Sequence, residues 1–232
     1  MATNYGTPPI VSDSLLFMID PANLKSYTSG SATITDMIGN VSADITNCGF
    51  SADNAGVLTF NGTNTDVDMD DFDGLTTDGG SSISLWFKGT GQTTTQDRSN
   101  NFFSVHASDY ANILRIGIAK TSGGFFCHLG PSGDNTVGSV DYDDSVWYNF
   151  TLTKVKDSAG TVYVNASSIG STTNTNITFD DAAHYSIGQE YDPGPAKGDF
   201  FKGQISCVQI YNKVLTQAEV TQNYNALKLR FE

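Results

Sequence analysis

The sequence predicts an all-β protein, an antiparallel two-sheet sandwich with one short helix near its C-terminus. Three observations lead there. Short segments in which apolar and polar residues alternate recur from residue 14 to residue 211, the two-residue period of strands. Between them lie clusters of Gly, Asn, Asp, Ser and Thr, such as Thr90-Gly-Gln-Thr-Thr-Thr-Gln-Asp97 and Gly130-Pro-Ser-Gly-Asp-Asn135, which are turn chemistry. The period changes only at the end, where Val220, Tyr224 and Leu227 recur at i, i+4 and i+7, one apolar stripe of a helix.

Residues 1–12 read as a flexible arm, because Pro8-Pro9 interrupts regular hydrogen-bonded structure. Residues 13–232 read as one domain, with no linker, composition shift or internal repeat dividing them. Strand segments fall at 14–19, 57–61, 65–70, 82–88, 101–106, 112–119, 124–129, 136–141, 147–154, 161–166, 176–179, 184–188 and 203–211. In Ser82-Ile-Ser-Leu-Trp-Phe-Lys88, Ile83, Leu85 and Phe87 share one face and Trp86 takes the other. From Trp147 to Lys154, Tyr148, Phe150 and Leu152 oppose Trp147, Asn149, Thr151 and Thr153. The last strand has apolar residues on both faces, Ile205 and Cys207 alternating with Val208 and Ile210, as in a strand covered on two sides. The helix spans 216–228. Thr216 and Glu219 form its capping box, and Leu215 with Val220 its hydrophobic staple. Strands with one strongly apolar face need a second sheet to cover it, and that makes a sandwich.

Charge excludes some functions. Twelve Lys and Arg stand against 25 Asp and Glu, a net charge of −13, so a nucleic-acid backbone or an anionic membrane surface is repelled. The apolar run Leu15–Ile19 is too short to span a bilayer. The first residues lack a basic region leading into an apolar one, so the expectation is synthesis in a cytoplasm without a secretory signal. Three widely spaced cysteines make no metal pairs or disulfide framework. Cys127 and Cys207 sit in strand segments and read as buried apolar residues, while a bridge from Cys48 stays open.

Several segments, in this order, resemble the laminin-G-like, concanavalin A-like jelly-roll family. They are Leu58-Thr-Phe-Asn-Gly-Thr-Asn-Thr-Asp-Val67, Ile83-Ser-Leu-Trp-Phe-Lys88, Trp147–Lys154 with Val162-Tyr-Val-Asn165, and Tyr185-Ser-Ile-Gly188 with Phe201–Ile205 and Ile210-Tyr-Asn-Lys-Val-Leu-Thr216. The opening Leu15-Leu-Phe-Met-Ile-Asp-Pro-Ala-Asn23 with Ser26-Tyr27 and Asp36-Met-Ile-Gly-Asn40 is similar to the version common in bacteriophage virion proteins. The resemblance runs from about residue 14 to 228 and implies a jelly-roll sandwich that binds glycans or proteins, sometimes with calcium. It implies no single activity. Where the family usually has Asn-Gly after the Tyr-Val strand, this chain has Asn165-Ala166, so a longer or differently shaped turn is expected there.

No catalytic residues are expected. Related glycanases carry a Glu-x-Asp-x-(x)-Glu strand; Glu190-Tyr-Asp192 is followed by Pro-Gly-Pro, and Glu occurs only at 190, 219 and 232. His106, His128 and His184 have no nucleophile context and read as strand residues. Asp66, Asp68 and Asp70 share one strand face opposite Val67 and Met69. Same-face neighbours lie about 7 Å apart, so they form either a solvated acidic face or calcium ligands completed by carbonyls or water. Asp141, Asp143 and Asp144, and Asp180-Asp181, are further acidic clusters. For glycans, loop aromatics beside acidic residues are the candidates: Tyr110, Tyr142, Tyr191 with Asp192, and Phe200.

The resemblance, with no secretory signal, leads to an expected role as a non-enzymatic bacteriophage structural protein, a capsid decoration or small appendage protein. Its expected partners are other virion proteins of capsid or tail, cell-surface polysaccharide, and further copies of itself. The arm or a sheet edge would dock it. A lectin or receptor-binding module, and a bacterial surface adhesion domain, remain alternatives.

Overall fold

The computed structural model describes residues 7–39, 41–70, 80–92, 97–109, 111–130, 134–155, 157–173, 179, 182–192 and 194–232. In chain order the strands are β1 (Leu15–Ile19), β2 (Thr33–Thr35), β3 (Ser42–Thr46), β4 (Gly49–Ser51), β5 (Val57–Asn61) and β6 (Asp66–Asp70). There follow β7 (Ser81–Gly89), β8 (Asn101–Ala107), β9 (Asn112–Ile118), β10 (Phe125–Leu129), β11 (Asp134–Val137) and β12 (Tyr148–Lys154). The last are β13 (Thr161–Val164), β14 (Ser167–Ser171), β15 (Ala182–Ile187), β16 (Glu190–Tyr191), β17 (Lys197–Gly198) and β18 (Lys202–Tyr211), before helix α1 (Gln217–Leu227).

Two antiparallel sheets form the sandwich. The first has the order β14-β13-β12-β7-β18-β5-β4, with β1 also paired to β18; the second runs β11-β10-β9-β8-β15-β6-β3-β2. Neighbours in space are far apart in sequence, as in β7-β18 and β8-β15. Between the sheets Phe87, Phe102, Phe125 and Phe150 pack ring against ring at 4.9–6.0 Å. Ile83, Leu85, Phe87, Phe150 and Leu152 all point into this core, as their alternation predicts.

On the outer face of the first sheet, Trp86 stacks on Phe231 at 4.3 Å and on Tyr224 at 5.6 Å. Helix α1 lies there, its capping box between Thr216 and Glu219 formed as expected. Residues 9–11, expected as part of a free arm, are fastened to this helix. The Val11 amide donates to Asn223 Oδ1 at 2.8 Å and Gln222 donates to the Pro9 carbonyl. Val11 is buried against Leu15, Tyr211 and Val220. The prolines exclude strand pairing but leave this apolar residue free to pack; residues 1–6 lie outside the described residues.

The strands missed by periodicity are β2, β3, β4, β14, β16 and β17. They are short, mostly at or beside sheet edges, and bury at most two side chains each, too few to show a period. The expected strand at 136–141 sits instead at 134–137, and most of the expected 176–179 lies outside the described residues. In β18 the pairing with β7 shifts between Ser206 and Gln209, and Cys207 has φ +48°. This bulge turns Ile205, Val208 and Ile210 inward together and sends Cys207 to the outer cluster. The Asn165-Ala166 turn is not longer. Both residues have positive φ, +48° and +63°, in a two-residue connection from Val164 to Ser167, the geometry Asn-Gly would adopt. The Asn165 side chain supports it by accepting from the Asn149 amide at 2.9 Å. All three cysteines are free thiols. Burial pushes Cys127 and Cys207 up to about 12, and Cys48 donates to the Asp66 carbonyl.

Candidate functional site

The outer face of the second sheet carries a row of polar side chains, one from each of seven adjacent strands. Register places Asp44 opposite Asp68, Asp68 opposite Ser186, and Ser186 opposite Ser104. Ser104 in turn faces Arg115, Arg115 faces His128, and His128 faces Asp134. Their strand neighbours, among them Ala43, Val67, Ile187, Val105, Leu114 and Cys127, point into the core, so alternation alone sends the polar set outward.

The two-stranded β16–β17 hairpin lies across the middle of this row and is fastened to it by charge. Lys197 Nζ lies 2.6 Å from Asp66 Oδ2 and also contacts Asp68 Oδ2. The Tyr191 hydroxyl donates to Asp68 Oδ2 at 2.9 Å, and Ser186 donates to Asp68 Oδ1 at 2.7 Å. The Tyr191 amide donates to His106 Nε2, and the two rings meet edge to face at 5.3 Å. On the other side, Arg115 donates to Asp199 Oδ2 at 2.7 Å and to the Arg98 carbonyl at 2.8 Å. Its Nε stands 3.4 Å from Glu190 Oε2.

These pairs sit where water is scarce, and titration reflects it. Burial raises the Asp66 carboxyl, and Lys197 only partly offsets this. Burial acts on Asp68 too, but hydrogen bonds from Lys197, Ser186 and Tyr191 outweigh it and hold the group below the usual range. Glu190, 1% exposed, is pushed up to about 7, chiefly by burial, with Arg115 opposing the rise and Asp199 and Asp192 adding to it.

Beside the hairpin a cavity of about 230 Å³ is lined by Ser42, Asp44, Asp68, Met69, His184 and Tyr191. It joins carboxylate acceptors to two rings whose centroids lie 6.0 Å apart, His184 and Tyr191. Asp44 and Ser42 are exposed at its rim. Hydroxyl-rich ligands call for such groups: carboxylates take their O–H donors, and ring faces take their C–H surfaces.

Of the residues singled out from sequence, Tyr191 belongs to this site. Asp192 follows it, exposed on the hairpin, its amide donating to the Ala196 carbonyl. Phe200, half-buried, bridges to Asn101 beyond the hairpin. Tyr142 is not a surface residue: it is 5% exposed, stacked on Phe125 at 4.6 Å and edge-on to Tyr148 at 4.9 Å. The apolar gap beside Phe125 takes its ring into the core. Tyr110 and Asp180-Asp181 lie outside the described residues.

Asp66 and Asp68 do share a face, but they do not suit calcium. The Lys197 ammonium stands between them where an ion would sit, and Ser186 and Tyr191 already engage Asp68. Among the described residues no group of three or more His, Cys, Asp or Glu is placed to hold a metal, and the Asp70 side chain lies outside them. Asp143 caps a loop, accepting from the Gly91 and Gln92 amides at 2.7 and 2.8 Å and pairing with Lys120.

Sequence reading missed Asp44, Arg115 and Lys197, and treated Glu190 only as a failed catalytic motif. One signal was present: Arg115 stands inside the apolar run Ile113-Leu-Arg-Ile116, and a cation in a well-covered strand needs a carboxylate from elsewhere.

The sequence matches the family model of the concanavalin A-like lectin/glucanases superfamily over residues 61–221. No curated protein matches it. Among solved structures it is similar to the Trypanosoma rangeli sialidase in complex with sialic acid, with a TM-score of 0.69 and 14% identity, covering 97% of this chain and 36% of that one. It is also similar to domain 4 of an extracellular GH43 arabinanase from Geobacillus stearothermophilus, in complex with arabinotriose. There the TM-score is 0.64 and the identity 19%, covering 91% of this chain and 98% of that domain. The chain thus spans about a third of the sialidase it matches, and at these identities the likeness is one of fold.

Proposed function

The chain belongs to the concanavalin A-like lectin/glucanases superfamily, and from that premise we propose a non-catalytic, saccharide-binding module displayed on a bacteriophage particle. The observation that carries the binding reading is the cavity at Asp44, Asp68, His184 and Tyr191, where acceptors and rings converge on the outer face of the second sheet. The carboxylates nearby support a non-catalytic role. Asp66 and Asp68 are engaged by Lys197, and Glu190 and Asp199 by Arg115, rather than standing as an acid and a base across open space. The superfamily fold and the arabinotriose bound by a domain of similar shape point the same way. The particle setting rests on the opening segment's resemblance to virion proteins. In this chain that segment is also a structural unit: Asp36 Oδ1 accepts from the Met18 and Ile38 amides at 2.7 and 3.0 Å, and Asp36 Oδ2 from Gly39.

Isothermal titration with arabinotriose, sialic acid and a panel of neutral oligosaccharides tests the binding. Asp44→Ala and His184→Ala should weaken it tenfold or more, about 1.4 kcal/mol, with melting temperature unchanged. Binding of none of the saccharides would overturn the reading, as would variants that bind like the parent. Quantitative mass spectrometry of purified phage particles encoding the chain tests the setting, and absence from them removes it.

A further inference from the structure

Two cavities open on one sheet face, on either side of the β16–β17 hairpin. One is the saccharide cavity of about 230 Å³. The other, about 500 Å³, is lined by Asp97, Arg98, Phe126, Asp134 and Thr136. The polar row runs from the first to the second, and its middle members, Ser186, Ser104 and Arg115, are 0%, 0% and 8% exposed. What covers them is the hairpin: the Gln189 carbonyl accepts from Ser104 at 2.8 Å, and Glu190 and Asp199 reach Arg115.

This cover is lightly built. Two residue pairs, Glu190 with Gly198 and Tyr191 with Lys197, make up its ladder. Its base turns at Gly188, whose φ of +88° suits glycine and where a Cβ would overlap the Phe60 ring. Its contacts with the row beneath are mainly polar and not all satisfied. Asp66 Oδ1 is buried without a hydrogen bond, and Arg115 Nε and Glu190 Oε2 meet only as an ion pair at 3.4 Å, which favours release into water.

Building on the saccharide-binding reading, we propose that the hairpin is a displaceable strap, that its opening joins the two cavities into one groove for an oligosaccharide of several units, and that rising pH loosens it. Charge supplies the direction. Beneath and along the strap stand four carboxylates, Asp66, Asp68, Glu190 and Asp199, against two cations, Lys197 and Arg115, a net −2 when all are ionised. Around them His106 faces in from β8, His184 from β15 and Asp44 from β3, and Asp192 lies on the strap itself. Glu190 binds its proton with a pKa of about 7 when covered, against an ordinary 4.5. A group whose proton is held more tightly in the closed state favours closure when protonated. The contribution of Glu190 to closure is therefore full below about pH 4.5, is lost as pH climbs to about 7, and falls no further above that. Between pH 5 and pH 8 the open-to-closed ratio should rise by about two orders of magnitude.

Hydrogen exchange read by mass spectrometry, corrected for the intrinsic pH dependence of exchange, tests the strap without any sugar. Peptides covering 188–201 should lose protection by up to about thirtyfold between pH 5.5 and pH 8.0, while peptides from β7 and β12 hold theirs. Glu190→Gln should flatten that profile, and Asp199→Asn, used should the first variant fold poorly, should make it shallower. Equal protection at both pH values in the parent chain overturns the strap. The second arm titrates neutral arabino-, cello- and malto-oligosaccharides of one to six units. The longer members of one series should bind at least tenfold tighter at pH 8.0 than at pH 5.5, and its monosaccharide equally at both. Binding that ignores both length and pH overturns the joined groove. A pH-dependent strap with no saccharide bound at any length leaves the strap standing and removes the binding reading instead.

Discussion

Arg230 near the C-terminus should hold the outer layer of the protein together, and its removal gives a measurable loss. Its Nη1 pairs with both carboxylate oxygens of Asp20, at 2.8 and 2.9 Å, and Nη2 donates to the Gly56 carbonyl and to Ser206 Oγ, while Nε donates to the Asn54 carbonyl. The guanidinium thus ties the chain end to the loop after β1, to the turn before β5 and to the bulge of β18. Both members of the ion pair are 14% exposed. Removing one partner of a mostly buried pair costs about 3–5 kcal/mol, and the residual exposure places Arg230→Ala at about 3 kcal/mol. For a chain of this length about 1 kcal/mol moves the midpoint by about 2–4 °C, so the expected fall is about 6–12 °C by scanning calorimetry. Arg230→Lys keeps the charge but loses the fork, and should fall by about half as much. Adding Asp20→Asn to Arg230→Ala should cost less than the sum of the two single changes, because the pair has already been broken. A fall below about 2 °C for Arg230→Ala, or strict additivity in the double variant, would refute the reasoning.

Two further outcomes are expected. Ala166→Gly relieves a left-handed residue in a two-residue hairpin turn and should raise stability by about 1 kcal/mol, or about 2–4 °C; an unchanged or lower midpoint would show that the Asn165-Ala166 conformation is not strained. Chelation with EDTA, followed by added calcium, should leave the midpoint within about 1 °C, since the Lys197 ammonium stands between Asp66 and Asp68; a rise of several degrees with calcium would mean that a metal displaces the ammonium.

The long strands were legible because each buries one face completely. Ile83, Leu85 and Phe87 sit in the core with Trp86 on the far side, and the period of two could be read directly. The helix was legible for a local reason as well, since Thr216 and Glu219 cap each other across three residues. Edge strands such as Thr33-Ile-Thr35 and Gly49-Phe-Ser51 bury too little to leave a period. Loop aromatics misled for a related reason. Tyr142 and Tyr191 both lie outside long alternating runs and beside acids, yet the first fills a gap beside Phe125 and only the second reaches the polar face. Sequence does not show which loops fold inward, because that depends on the gaps left between elements far apart in the chain.

The strap was illegible because its chemistry is assembled across the sheet order. Asp66 and Asp68 come from β6, Arg115 from β9, and their partners from the hairpin at residues 190–199. Only the order β9-β8-β15-β6 brings the first two sides under the third. Each member has an ordinary local reading: an acidic strand face, a lone cation in an apolar strand, a failed glycanase motif. Taken together they explain one another. A lone strand cation in a covered position needs a carboxylate, and Glu190 and Asp199 supply two where one would suffice; an acidic strand face needs a cation, and Lys197 supplies one where there are two acids. When all are ionised, each side of the strap therefore carries one negative charge beyond what its cation can balance. A purely structural clasp would gain from matched charge, so the excess is best understood as the means by which this cover can be released.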